Sequence, residues 1–138
     1  MAKSQPTTKS KHSPQNILLG YCKNINEWPE SWEIDSDDIR VGKAILEYFK
    51  AFLLYKIEKG RSKKTIKNDS NYLWALGGEL ISRINEDDNE RKLSPKELIL
   101  NYIDDSGGPL WHHASSELEH NQYDSVCKQL FKFITHPS

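Results

Sequence analysis

DIRVGKAILEYFKAFLLYKIEKGRSKKTIKND, residues 38–69, is the stretch that decides the fold. Ile45, Tyr48, Phe49, Phe52 and Leu53 recur at the three-and-four spacing that gathers apolar side chains on one face of a helix. Asp37 or Asp38 can cap that helix at its start. Lys59-Gly60 ends it, because a glycine past the last turn accepts the left-handed conformation that other residues resist. The spacing therefore predicts a helix from about Asp38 to Glu58. A second helix, capped by Ser62, reaches about Ile84 with Ile66, Leu73, Trp74, Leu80 and Ile81 on or near one stripe. Gly77-Gly78 falls inside it and weakens it by about 1 kcal/mol per glycine relative to alanine. Either a close helix crossing or a break accounts for the pair.

Downstream of the polar segment 85–90, Ser94-Pro95-Lys96-Glu97 has the three marks of a helix start: a serine cap, proline in the first turn, and glutamate three residues after the cap. The short helix it opens buries Leu98, Ile99, Tyr102 and Ile103 and stops before Gly107-Gly108-Pro109. Ser116 with Glu119 offers a second capping box. The helix beyond it carries Tyr123, Val126, Cys127, Leu130, Phe131 and Ile134 on its apolar side and ends near His136-Pro137. No stretch alternates as a strand does. The expectation is all-α: four helices with short connections in one compact bundle, over residues 38–136.

Upstream, residues 1–15 offer almost nothing to bury and are expected to form a disordered tail. Residues 16–37 contain Ile17, Leu18, Leu19, Tyr21, Trp28 and Trp32 without a clean period. They are expected to pack as an irregular acidic arm.

With 138 residues, 36% of them apolar and 28% charged, the chain fits one globular domain. It has no apolar run of the roughly 20 residues a spanning helix needs, and the basic start lacks the apolar stretch of a secretory signal. No membrane partner and a cytoplasmic location are expected, with Cys22 and Cys127 as reduced thiols. The net charge of −1 argues against indiscriminate coating of nucleic acid. Its distribution is uneven, however. Glu27, Glu30, Glu33, Asp35, Asp37 and Asp38 face only Arg40 within residues 24–40, whereas Lys56, Lys59, Arg61, Lys63, Lys64 and Lys67 face only Glu58 within residues 56–67.

Catalytic motifs are missing: there is no glycine-rich phosphate loop, Gly-x-Ser-x-Gly, His-Glu-x-x-His or Cys-x-x-Cys. His112-His113, with His120 and Cys127, lacks the paired spacing of metal ligands. Asp87-Asp88 and Asp104-Asp105 have nothing apolar beside them to shift a pKa. No enzyme activity, cofactor or metal is expected. The basic block is different in kind. A helix start presents free N–H groups and a partial positive charge, and the Ser62 and Thr65 hydroxyls can donate to an anion, so phosphate is the natural partner. Lys63, Lys64 and Lys67 would hold a DNA backbone, and Asn68, Asn71 or Tyr72 would reach base edges one turn later. Against this stands the bland alternative that a basic run is only a solvated helix face.

Residues 48–66, YFKAFLLYKIEKGRSKKTI, resemble the start of the core-binding, SAM-like domain of tyrosine recombinases and phage integrases, and residues 123–134, YDSVCKQLFKFI, resemble its last helix. The resemblance runs from about Gly42 to Ile134. It implies a four- to five-helix bundle that grips double-stranded DNA as one jaw of a clamp, with the second and last helices towards the major groove. Mapped onto this chain, it points to Lys59, Arg61, Ser62, Lys63, Lys64, Thr65 and Lys67, and more weakly to Lys128 and Lys132. In that family a separate C-terminal domain supplies the arginines, lysine, His-x-x-Arg motif and nucleophilic tyrosine. This chain ends at Ser138, and none of its histidines has an arginine three residues on. Strand cleavage by this chain alone is not expected. The alternative is a protein-interaction module on the same bundle, with Trp28, Trp32 and Trp111 as candidate contact residues, although tryptophans are more often core or arm-packing residues than contact residues. The acidic front could also fold over the basic helix start and mask it.

Overall fold

In the computed structural model, which describes residues 13–109, 111 and 114–136, local signals set most helix ends. Six α-helices follow one another among the described residues: α1 Pro14–Tyr21, α2 Trp28–Trp32, α3 Asp38–Glu58, α4 Lys63–Glu86, α5 Pro95–Tyr102 and α6 Glu117–Thr135. Short 3-10 turns occupy Ile25–Glu27 and Asp88–Lys92, and the described residues contain no strand. The all-α bundle is as the periodicity predicts. No helix among the described residues is long and apolar enough to cross a membrane, and both cysteines are free.

The junction between α3 and α4 is closed by backbone bonds. Gly60 takes φ +81°, its N–H donates to the Ile57 carbonyl at 3.0 Å, and the Arg61 N–H donates to the Lys56 carbonyl at 3.2 Å. This pair of bonds satisfies carbonyls that the helix end leaves open and fixes the backbone of Arg61. Ser62 then caps α4 by accepting from the Thr65 N–H at 3.1 Å. At α5 the full capping box forms, Ser94 and Glu97 each accepting the other's N–H. At α6 it is shifted: Ser116 accepts from the Glu119 N–H, but the Glu119 carboxylate accepts from the N–H and hydroxyl of Ser115.

Neither Asp37 nor Asp38 caps α3. Asp37 pairs with Arg40 at 2.8 Å, and Asp38, fully buried, accepts from the N–H groups of Ile34 and Asp35 and from the Asn85 amide. Arg91 lies 2.8 Å from the same carboxylate. Burial pushes the Asp38 carboxyl up, but these hydrogen bonds and the Arg91 guanidinium outweigh it and hold the group below the usual carboxylate range.

Residues 16–37 are not the irregular arm the missing period suggests. They contain α1, the Ile25–Glu27 turn and α2, and α1 starts at Pro14, two residues inside the stretch expected as tail; residues 1–12 lie outside the described residues. The physical reason is tertiary. Trp28 and Trp32 are each 5% exposed, and the Trp32 ring meets Phe49 of α3 edge-on at 6.3 Å. Its Nε1–H donates to the Trp74 carbonyl of α4 at 2.9 Å. Gly77 makes room for that ring, since a Cβ there would lie 2.1 Å from it. The glycine pair thus neither breaks α4 nor marks a crossing of two long helices. It is the socket for a tryptophan from α2.

The core joins α3, α4, α5 and α6 through Ile45, Phe49, Leu53, Leu73, Leu76, Ile99 and Leu130, all at or near zero exposure. Asp38 at the start of α3 bonds to Asn85 near the end of α4, and Lys56 near the end of α3 pairs with Asp69 in the first half of α4. The two long helices therefore run antiparallel.

Candidate nucleic-acid interface

The basic block sits at the end of the bundle where the 59–62 turn, the start of α4 and the last turns of α6 meet. Of its cations, Lys56 points inward. It is 6% exposed, pairs with the Asp69 carboxylate, donates to Gln129 Oε1 of α6 at 2.6 Å and lies 5.5 Å from the centre of the Phe52 ring. A buried cation needs such partners, because losing water costs several kcal/mol per ion. Lys56 ties α3, α4 and α6 together here and is not available to a ligand.

Lys59, Arg61, Ser62, Lys63, Lys64, Lys67 and Asn68 are exposed, and so are Lys128 and Lys132, one turn apart on α6. None of Lys59, Arg61, Lys63, Lys64, Lys67, Lys128 or Lys132 forms an ion pair among the described residues. On α4, Lys63, Lys67 and Asn71 rise along one ridge and Lys64 and Asn68 along the next, as side chains four apart do. Ile66, Asp69, Ser70 and Leu73 take the opposite, buried side.

The hydroxyl pair is partly committed. Ser62 Oγ accepts from the Thr65 N–H and donates to Thr65 Oγ1 at 3.0 Å, which leaves the Thr65 hydroxyl as the free donor of the two. Asn71 opens onto a different groove, shared with Glu27, Glu30 and Trp74, where a phosphate would meet carboxylates. Tyr72 is half-buried: its hydroxyl donates to Gln122 Oε1 at 2.5 Å and its ring packs edge-on against Trp111 at 5.8 Å. Asn68 continues the exposed cationic surface, and Asn71, at the end of the Lys63–Lys67 ridge, marks where that surface meets the carboxylates.

Lys59, Arg61 and Lys132, distant in sequence, line one groove of about 570 Å³ with His136. The sequence reading missed His136 and the aromatic residues beneath it. The Lys128, Lys132, His136 spacing of four was the available signal.

The aspartates of the acidic front do not cover this surface, while Glu27 and Glu30 border the groove of Asn71 beside it. Asp35, Asp37 and Asp38 are drawn to Arg91, and Asp37 also to Arg40. Asp38 bonds to Asn85, at the far end of a 24-residue helix from Lys63, a separation of roughly 30 Å at 1.5 Å per residue.

His112 and His113 lie outside the described residues. His120 contacts Asp124 at 3.3 Å and accepts from the Trp111 N–H, and no group of three metal-ligating side chains occurs among the described residues. Of the two readings of the tryptophans, packing is the one observed: Trp28 and Trp32 are buried, and Trp111 stacks on Tyr123 at 5.2 Å. The exposed one is Trp74, at 46%, one residue off the buried stripe of α4.

No family model matches the chain, and neither a curated protein nor a solved structure matches it.

Proposed function

We propose that this protein binds double-stranded DNA through the start of α4 and the adjoining end of α6, in the manner of the core-binding domain of tyrosine recombinases, and performs no strand cleavage by itself. The observation that carries this reading is the set of exposed cations at one helix start, Arg61, Lys63, Lys64 and Lys67, that form no ion pair among the described residues. Positive charges there oppose the helix dipole and repel one another. Asp35, Asp37 and Asp38 are held by Arg40 and Arg91, and these cations form no ion pair among the described residues, which leaves them to phosphate. Replacing Lys63, Lys64 and Lys67 together by alanine is expected to weaken duplex binding roughly 100-fold at about 0.1 M salt. The check is fluorescence anisotropy on a labelled duplex, with thermal melting to establish that the variant is folded. Undiminished binding would move the interface elsewhere.

A protein partner is the second reading, and Trp74 favours it. Its exposed ring stands between one groove bordered by Glu27 and Glu30 and another bordered by Ala75 and Gly78. A complex that survives nuclease treatment and is lost on Trp74→Ala would support this reading over DNA.

A further inference from the structure

Phosphate binding explains the cations at this end of the bundle but not the aromatic rings among them. Tyr55 is 43% exposed although it belongs to the helix that carries the core, and it packs against Phe133 of α6 with ring centres 5.1 Å apart. Both rings line the groove whose rim carries Lys59, Arg61 and Lys132. Phe52, 1% exposed, supports Phe133 from below at 5.6 Å, so the floor is anchored in the core. The Lys59 ammonium lies 5.4 Å from the Tyr55 ring centre, on a side chain that forms no ion pair among the described residues and can swing to a phosphate.

A stacked duplex has little use for such a floor, because its base faces are covered by their neighbours. An unstacked base has one face to cover, and a cationic rim beside an aromatic floor is the arrangement that holds single strands. The groove, about 570 Å³, falls within the range of roughly 300–1,000 Å³ that pockets for small ligands occupy.

We infer that this groove holds one nucleotide of an unpaired strand, its base stacked on the Tyr55 ring with its edge against Phe133, which is inclined 44° to that ring, and its phosphate between Arg61, Lys59 and Lys132. This rests on the nucleic-acid reading and refines it: the protein would favour a strand end, gap or opened duplex, with α4 on the adjoining double-stranded part.

The test is anisotropy with a labelled oligothymidylate and, separately, a blunt duplex, using wild type, Tyr55→Leu and Tyr55→Phe. Leucine keeps a packing contact with Phe133 and removes the flat face, while phenylalanine keeps the face. Tyr55→Leu is expected to weaken oligothymidylate binding about tenfold and to leave duplex binding within about twofold, with Tyr55→Phe close to wild type. Thymidine monophosphate is expected to compete far more weakly than the oligonucleotide. Equal binding of the oligothymidylate by Tyr55→Leu and wild type would overturn the inference. So would an equal loss on both nucleic acids, or competition by the mononucleotide at the affinity of the strand. In each of those cases the Lys63, Lys64 and Lys67 surface could still bind duplex. Absence of any binding by wild type would overturn the DNA reading as well.

Discussion

Replacing Asp69 by alanine is expected to cost about 3–5 kcal/mol of folding stability, against the roughly 5–15 kcal/mol that a folded domain commonly has. Asp69 and Lys56 are 7% and 6% exposed and pair with each other, and among the described residues Lys56 has only Gln129 as a further polar partner. Without the carboxylate the ammonium is left buried beside a neutral amide and the Phe52 ring. The large cost belongs to the orphaned charge rather than to the pair itself. The double replacement Lys56→Met with Asp69→Leu should therefore be near neutral. Urea denaturation of the two variants separates these outcomes. A loss under about 1 kcal/mol in Asp69→Ala would mean that Lys56 escapes to solvent through the groove it borders.

The second large effect concerns Trp32. Its replacement by alanine is expected to cost about 3–5 kcal/mol, since it removes a buried ring and the hydrogen bond to the Trp74 carbonyl. The sharper form of this prediction lies in its partner. Gly77→Ala alone should destabilise by about 1–3 kcal/mol, because the new methyl would stand 2.1 Å from the Trp32 ring. In the Trp32→Ala background the same change should stabilise by about 1 kcal/mol, the helix-propensity gain of alanine over glycine. A double-mutant cycle by urea denaturation reads this reversal of sign. Additive effects would show that Gly77 is not the socket for the ring.

Helices α3, α4, α5 and α6 were legible because their signals are local. The α3 period, Gly60, Ser62, the Ser94-Pro95-Glu97 start and Ser116 each act within a few residues. Helices α1 and α2 were not expected. The Ser13-Pro14 start of α1 was a local signal that the sequence reading missed, while α2 at five residues is too short to display a period and is held by a socket forty-five positions downstream of Trp32. The same division runs through the candidate site. Arg61, Lys63, Lys64 and Lys67 stand close together and could be read directly. That Lys56 turns inward depends on Asp69 and Gln129, which no spacing rule connects to it. The groove beneath Arg61 depends on α6 running back beside α3, so Lys132, His136 and Phe133 join it only in three dimensions. Trp74 was misread because one residue, about 100° of helix, separates it from buried Leu73.

The account depends most on the start of α4 neutralising phosphates, and the salt dependence of duplex binding measures that directly. With Arg61, Lys63, Lys64 and Lys67 each meeting one phosphate, log K should fall against log salt with a slope near −3.6. In the Lys63, Lys64 and Lys67 triple alanine variant the slope should shrink to about −0.9. No saturable binding at low salt, or a slope that the triple variant leaves unchanged, would contradict the account.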